Sequence, residues 1–193
     1  MTISPATASA TAIPGLHLLR TKVADDERGA VREILRPSAL VELGLPPLDV
    51  RQVNLTFTRA GAVRGIHAEA MHKLVGVAGG EAFGVWVDLR PGPGFAQVVT
   101  ASLVLGVQVL VPPGVGNGLQ AVTACEYLYC FDQEWQPGMA GGCVHPLDPD
   151  LAIPWPLAVD PTDPAQLSAK DAAQPALRDL VSPPPPPASP GPP

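Results

Sequence analysis

The chain has 193 residues, of which 46% are hydrophobic and 16% charged, with a formal net charge of -6. This length suits one domain with a substantial core, and the acidic balance argues against a surface that grips nucleic acid or anionic lipid. No stretch approaches the roughly 20 apolar residues of a membrane span, and the polar start of the chain lacks the pattern of a signal peptide.

The N-terminal part of the chain is predicted to be mostly irregular. Residues 1–14 are small and polar and predict a mobile segment, with the ordered domain spanning 15–181. A helix is predicted at about 38–43, because Pro37 suits its first position and Gly44 suits the residue after its end.

Strands dominate the prediction from residue 50 onward. Residues 50–57 alternate between polar and apolar side chains, as a strand with two different faces does. Further short strands, separated by Gly, Pro or polar breaks, are predicted at 62–67, 73–79, 82–89, 96–104, 107–112, 118–122 and 125–132. Many short strands at this spacing are typical of a β-sandwich or barrel.

The C-terminal part of the chain differs in composition from the strand-rich part before it. Residues 156–164 are predicted to be loop, and 166–180 has room for a short helix. Residues 182–193 are almost all Pro with Ala, Ser and Gly, which predicts a disordered or polyproline II tail. Three cysteines without a CxxC spacing indicate reduced thiols and a cytoplasmic location.

Two segments resemble the metal-binding motifs of cupin barrels, in which several His residues and a Glu converge on one ion. The first reads His67-Ala68-Glu69, where a second His is expected two residues after the first. The second reads PPGVGN and ends at Asn117 instead of the expected His. Because two ligands are missing, we expect no metal.

Nine motifs in order resemble the dTDP-4-dehydrorhamnose 3,5-epimerase family over about residues 16–178. Each motif is short and weak alone, but their shared order is specific. They are DERG at 26–29, QVN at 52–54, RGIH at 64–67, KLV at 73–75, GEAF at 80–83 with VDLR at 87–90, VPPG at 111–114, EYLY at 126–129, DPD at 148–150 with WP at 155–156, and LSAKD at 167–171.

The resemblance implies a mainly β protein with a cupin or jelly-roll barrel, few short helices and a homodimeric assembly. It implies a cofactor-free isomerase that inverts C3, C5 or both in a dTDP-linked 4-keto-6-deoxyhexose, through removal and return of a proton. Such sugars lead to rhamnose or to the sugars of antibiotics and other natural products. An Ala, Pro, Val and Gly bias indicates a GC-rich genome and favours the natural-product setting.

The resemblance also assigns catalytic roles. His67 would be the base, and Asp171 would hold its ring in the correct tautomer. Lys73 would place an ammonium near the developing enolate oxygen, and Tyr129 would return a proton to the opposite face of the sugar.

A substrate pocket is implied in the same way. Arg28 and Arg64 match positions that grip the diphosphate. Trp135 stands where the family has a Tyr that stacks on thymine. The other matching pocket positions are Glu33, Gln52, Asn54 and Asn117.

Two residues depart from the family pattern. Asn117 replaces a His, and Gly84 replaces the Asp of an FDV run, so both changes remove an ionisable group. An altered pocket wall changes which sugar fits or restricts the reaction to one carbon, and the sequence leaves these alternatives open. A non-catalytic cupin that binds a nucleotide sugar is a third alternative.

Overall fold

The computed structural model describes residues 1–180, and the predicted Pro-rich tail at 182–193 lies outside them. The strands are β1 Thr2–Ser4, β2 Thr7–Ala10, β3 His17–Arg20, β4 Val23–Asp26, β5 Gly29–Arg32, β6 Gln52–Thr58, β7 Val63–Glu69, β8 Lys73–Gly79, β9 Ala82–Asp88, β10 Val98–Leu103, β11 Val107–Val111, β12 Val115–Ala121, β13 Cys125–Phe131 and β14 Gly141–Cys143. The helices are α1 Pro37–Glu42, α2 Ala169–Ala172 and α3 Leu177–Leu180, with a 3-10 turn at Pro149–Leu151. None of these helices is long and apolar enough to cross a bilayer.

Every strand predicted from residue 50 onward is present, within about three residues of its predicted bounds. The predicted helix at 38–43 is α1, and 166–180 contains both α2 and α3. The sequence did not predict β1 to β5 or β14, which are only three or four residues long. Within residues 1–14, for which the sequence predicts a mobile segment, β1 pairs with β4, β2 pairs with β3, and Ile13 is fully buried.

The strands form three antiparallel sheets. The first has six strands in the order β2-β3-β11-β8-β13-β6, the second has five in the order β10-β9-β12-β7-β14, and the third has three in the order β1-β4-β5. The two larger sheets face each other over a core that includes Val75, Trp86, Leu103 and Tyr127. This arrangement confirms the predicted mainly β, jelly-roll class, although hydrogen bonding within residues 1–180 leaves the two sheets separate instead of closing one barrel.

Both larger sheets are also partly covered on their outer faces. Leu40 from α1 joins Leu74 from β8 in one apolar cluster outside the six-stranded sheet. Leu151 and Leu177 join Val85 from β9 in another cluster outside the five-stranded sheet. Packing on both faces fixes the two sheets as rigid walls for the space between them.

β6 is an edge strand, and its apolar face is exposed. Val53, Leu55 and Phe57 are 57%, 55% and 60% exposed. Successive residues of a strand point to opposite faces, and Asn54 and Thr56 accordingly face the space between the sheets. A row of exposed apolar side chains on a sheet edge is typical of an interaction surface.

Gly84 on β9 leaves room for the indole of Trp86. A Cβ atom added at Gly84 would lie 2.9 Å from Cδ1 of Leu103 and 3.0 Å from Cζ3 of Trp86, and closer still to Cη2 of Trp86. Trp86 is fully buried, and its indole N–H has no hydrogen-bond partner among the described residues. The space of the carboxylate that the family resemblance expects at residue 84 is therefore filled by a packed aromatic ring.

Candidate active site

A cavity of about 800 Å³ opens between the two larger sheets. Its walls come from β6, β8 and β13 of the six-stranded sheet, from β7, β12 and β14 of the five-stranded sheet, and from α2. This volume falls in the range of roughly 300–1,000 Å³ that is usual for small-molecule sites.

His67 and Asp171 meet in the wall of this cavity. Nε2 of His67 lies 2.7 Å from Oδ1 of Asp171, although 104 residues separate them in the chain. The segment before α2 runs beside the start of β7, where the Val63 N–H donates to the Gln166 carbonyl at 2.7 Å. Ser168 caps α2 by accepting a hydrogen bond from the Asp171 N–H at 3.1 Å. These contacts fix Asp171 against the imidazole.

Asp171 is a buried carboxylate whose charged form is stabilised. Burial raises its pKa, but the hydrogen bond and charge of His67, together with hydrogen bonds from Ser168 and the Gly65 backbone, outweigh burial and hold the pKa below its ordinary value. An ionised carboxylate beside an imidazole fixes the tautomer and stabilises the imidazolium form. With Asp171 at Nε2, Nδ1 is the basic nitrogen, and it has no hydrogen-bond partner within residues 1–180.

Lys73 begins β8 on the facing sheet and is only 2% exposed. Its Nζ donates to the Glu69 carboxylate and, at 3.3 Å, to the backbone carbonyl of His67. Burial lowers the pKa of Lys73, and the charge and hydrogen bond of Glu69 oppose that effect. The cavity therefore holds a buried amine beside one carboxylate.

Tyr129 lies on β13, so it projects from the sheet opposite the one that carries His67. Its ring stacks on Phe131 at a centroid distance of 5.7 Å and meets the edge of Tyr127 at 4.8 Å. Burial is the main cause that raises the pKa of Tyr129, opposed by the charge of Arg64. Tyr129 is therefore a neutral phenol at physiological pH, with its proton available.

Asn117 on β12 is 6% exposed and contributes to the same cavity. Its Oδ1 accepts a hydrogen bond from the hydroxyl of the buried Tyr127 at 3.2 Å. The Tyr127 hydroxyl thus orients the amide, and Nδ2 is its donor group for a ligand. A neutral donor thus stands where the family resemblance expects an imidazole.

Four of the predicted pocket residues line the cavity, namely Asn54, Arg64, Asn117 and Trp135. Gln52 does not line the cavity itself but contacts Asn54, which does. Its Nε2 donates to Oδ1 of Asn54 at 3.0 Å, and its Oε1 accepts from the Trp135 N–H at 2.7 Å. Gln52 therefore links the edge strand to the loop that carries the indole.

Arg28 and Glu33 are not brought to this cavity within a single chain. Arg28 lies in the turn between β4 and β5, pairs with Asp26 at 2.8 Å, and has a side chain that is 89% exposed. Glu33 follows β5 and pairs with Arg36 at 2.6 Å. Both residues belong to the region of the three-stranded sheet, outside the sandwich, so their predicted role in binding stays a prediction.

Sequence reasoning missed three ionisable residues that line the cavity. Lys170 is exposed at its mouth, and its position beside Asp171 in the LSAKD motif was the available signal. Glu69 was considered only as a metal ligand, although it lies four residues before Lys73. Cys143 carried no signal, because β14 is three residues long and matches no motif.

The part of the chain that the structure describes offers no ligand set for a metal ion. No group of three or more His, Cys, Asp or Glu side chains comes together there in an arrangement that could hold an ion. The expectation of a reaction without metal or cofactor stays a prediction.

An imidazole held by a carboxylate lies opposite a phenol in a cavity between the two larger antiparallel sheets of this cupin-like jelly roll, and such an arrangement suits acid–base chemistry. The chain belongs to the dTDP-4-dehydrorhamnose 3,5-epimerase family, whose members are isomerases and whose profile matches residues 10–179.

Relatives of known name match this chain over most of its length. The dTDP-4-dehydrorhamnose 3,5-epimerase of Salmonella typhimurium is 34% identical over 175 residues, which cover 86% of this chain and 93% of the relative. RmlC from Streptococcus suis, in complex with dTDP-D-xylose, superposes with a TM-score of 0.81 at 30% identity, covering 92% of this chain and 94% of that one. NovW, a 4-keto-6-deoxy sugar epimerase from the novobiocin biosynthetic gene cluster of Streptomyces spheroides, superposes with a TM-score of 0.83 at 28% identity, covering 91% and 89%.

Proposed function

We propose that this protein epimerises a dTDP-linked 4-keto-6-deoxyhexose at C3, C5 or both, without a cofactor, in deoxysugar biosynthesis. The observation that carries the proposal is the His67 and Asp171 pair on one cavity wall, with Tyr129 on the other. Inversion of a carbon requires a base on one face of the sugar ring and an acid on the opposite face, and these two walls supply both.

The chemistry follows from the 4-keto group. Hydrogens on C3 and C5 flank a carbonyl, so their removal as protons yields an enolate. His67 takes the proton, and Asp171 stabilises the imidazolium that forms. Lys73 donates a hydrogen bond to the enolate oxygen. Tyr129 then gives its proton to the opposite face of the carbon, and solvent restores the starting protonation states.

The nucleotide half of the substrate is held at the mouth of the cavity. Arg64 and Lys170 are cations that suit the diphosphate. Trp135 is 44% exposed there and offers a face on which thymine stacks. Asn54 and Gln52 supply amide donors and acceptors to the nucleoside.

A homodimer completes this site in our proposal. Arg28 and Glu33, which do not reach the cavity of their own chain, would come from the β4 and β5 hairpin of a second copy. The exposed apolar row of Val53, Leu55 and Phe57 on β6 supports such an interface, because an edge of this kind is normally covered.

A second candidate is an epimerase restricted to one carbon. It is favoured by the cavity wall at Asn117, which offers a neutral amide held by Tyr127. Such a wall holds one orientation of the sugar without an ionisable group. The similarity to NovW supports a natural-product sugar as the product. We also propose a cytoplasmic location for the protein.

The test is incubation with dTDP-4-keto-6-deoxyglucose in deuterium oxide, with NMR to locate the incorporated label. Label at C3 and C5 supports the double epimerase, and label at one carbon supports the restricted enzyme. Absence of label together with measurable dTDP binding would overturn the catalytic proposal in favour of a binding protein.

A further inference from the structure

Glu69 has no role in the reaction proposed above, yet it is the carboxylate that contacts Lys73. It ends β7 and Lys73 begins β8, so the pair closes the connection between the two larger sheets. The backbone of Glu69 is fixed on both sides, because its carbonyl accepts from the Gly114 N–H at 3.0 Å and it pairs with Gly141 on β14. Two neighbouring segments therefore fix the backbone that carries the carboxylate.

A buried ammonium needs both a counter-charge and hydrogen-bond acceptors. Lys73 has three N–H donors. Glu69 takes one, and the carbonyl of His67 takes another at 3.3 Å. The third N–H is left for the cavity that Lys73 lines. Removal of Glu69 would leave an ammonium that is only 2% exposed without a carboxylate contact within residues 1–180.

We propose that Glu69 is a positioning residue that keeps Lys73 protonated and aims its third N–H at the oxygen of the substrate carbonyl. It acts through Lys73 and does not itself touch the reacting carbons. The inference rests on the proposed function, which assigns the enolate oxygen to Lys73.

Other titratable groups face the same cavity and bear on its pH dependence. They are Arg64 and His67 on β7, Tyr129 on β13, Cys143 on β14, and Lys170 and Asp171 on α2. The charge of Glu69 also raises the pKa of Tyr129, although burial is the larger cause. A rate profile alone therefore mixes two effects, and Lys73 must be observed directly.

The test is Glu69→Gln, which keeps the shape and one acceptor oxygen but removes the charge. The protonated form of Lys73 is the active one, so the contribution of Lys73 to the rate is present below its pKa and is lost as pH rises through that pKa. Loss of the counter-charge moves that alkaline limb of kcat to lower pH by about one unit or more. At pH 6 the variant retains most of the rate that the wild type has at the same pH, and KM changes less than kcat.

A readout that needs no substrate separates this inference from the proposed function. The whole chain contains three lysines, Lys22, Lys73 and Lys170, so 13C labelling at Cε gives three NMR signals, and Lys73→Arg identifies the one that belongs to Lys73. We expect that signal to titrate at lower pH in Glu69→Gln than in the wild type. This result is expected even if the wild-type protein turns over no dTDP sugar.

Two further variants complete the experiment. Glu81→Gln changes an exposed residue in the turn after β8, at the opposite end of that strand from Lys73, and should leave both the profile and the signal unchanged. Glu69→Asp keeps the charge and should restore part of the alkaline activity. Coincident Lys73 titrations in the wild type and in Glu69→Gln, or an equal loss of rate at every pH, would overturn the inference.

Discussion

Two histidine–aspartate pairs in this protein differ in what surrounds them. His67 and Asp171 meet at 2.7 Å in the cavity wall. His72 and Asp132 meet at 2.9 Å where the turn before β8 reaches the end of β13. Two backbone hydrogen bonds reinforce the second pair, from the His72 N–H to Asp132 Oδ1 at 3.0 Å and from the Asp132 N–H to the His72 carbonyl at 3.3 Å.

The second pair closes a turn, and neither of its side chains lines the cavity. His67, in contrast, shares its cavity with Lys73 and Tyr129. A contact between imidazole and carboxylate is therefore not enough to identify a catalytic site. Proton transfer also requires that the imidazole share a cavity with a substrate and with other acid or base groups.

The largest expected effect separates the two histidines. His67→Ala should reduce deuterium incorporation into the sugar by about 10²- to 10⁴-fold, because it removes the group that we propose as the base. The fold should survive, since His67 is only half-buried, and circular dichroism with thermal melting checks this. Exchange at the wild-type rate in a folded His67→Ala protein would remove His67 from the mechanism.

The two aspartates form the next comparison. Asp171→Asn should lower kcat by about a hundredfold, because the amide neither fixes the same tautomer nor stabilises the imidazolium. Asp132→Asn is the matched control and should change kcat by less than about twofold. Equal losses in both variants would show that the cavity does not distinguish the pairs.

Tyr129→Phe should separate exchange from inversion. Proton removal by His67 continues in this variant, but the phenol that supplies the opposite face is absent. We expect inverted product to fall by about tenfold or more, while deuterium still enters the starting epimer. NMR measures both quantities in one sample, and a parallel fall in both would assign Tyr129 another role.

The smallest catalytic effect is expected for His72→Ala. Loss of the side-chain contact with Asp132 should lower the free energy of unfolding by about 1 kcal/mol. The backbone hydrogen bonds of the turn remain, so exchange should stay within about twofold of the wild type. Chemical denaturation and the deuterium assay together test this pairing, and a large loss of exchange without a loss of stability would contradict it.

Much of the fold was predictable because the main strands carry local signals. Alternation marks β6, and Gly or Pro residues bound β8, β9 and β12. β2 and β14 read TASA and GGC, and such short runs of small residues pair through backbone hydrogen bonds that no side-chain pattern records. The sequence also predicted which residues of β6 alternate, but only the structure shows that Val53, Leu55 and Phe57 are exposed.

The site was predictable where a motif carried it. His67, Lys73, Tyr129 and Asp171 came from separate motifs, and the fold brings all four to one cavity. The Lys73 contact with Glu69 was not predicted, because it depends on the tight connection between β7 and β8. The contact between Trp86 and Gly84 was not predicted either, because a sequence pattern does not show which side chains fill the same space.

Trp86 determines whether a larger side chain is tolerated at residue 84. An aspartate introduced alone at residue 84 would bring its Cβ into steric conflict with the indole, so the Trp86 side chain must shift to accommodate it. Shortening Trp86 first would open a void beside Leu103 in the core. The two positions are therefore energetically coupled, and a carboxylate engineered at residue 84 requires a change at Trp86 as well.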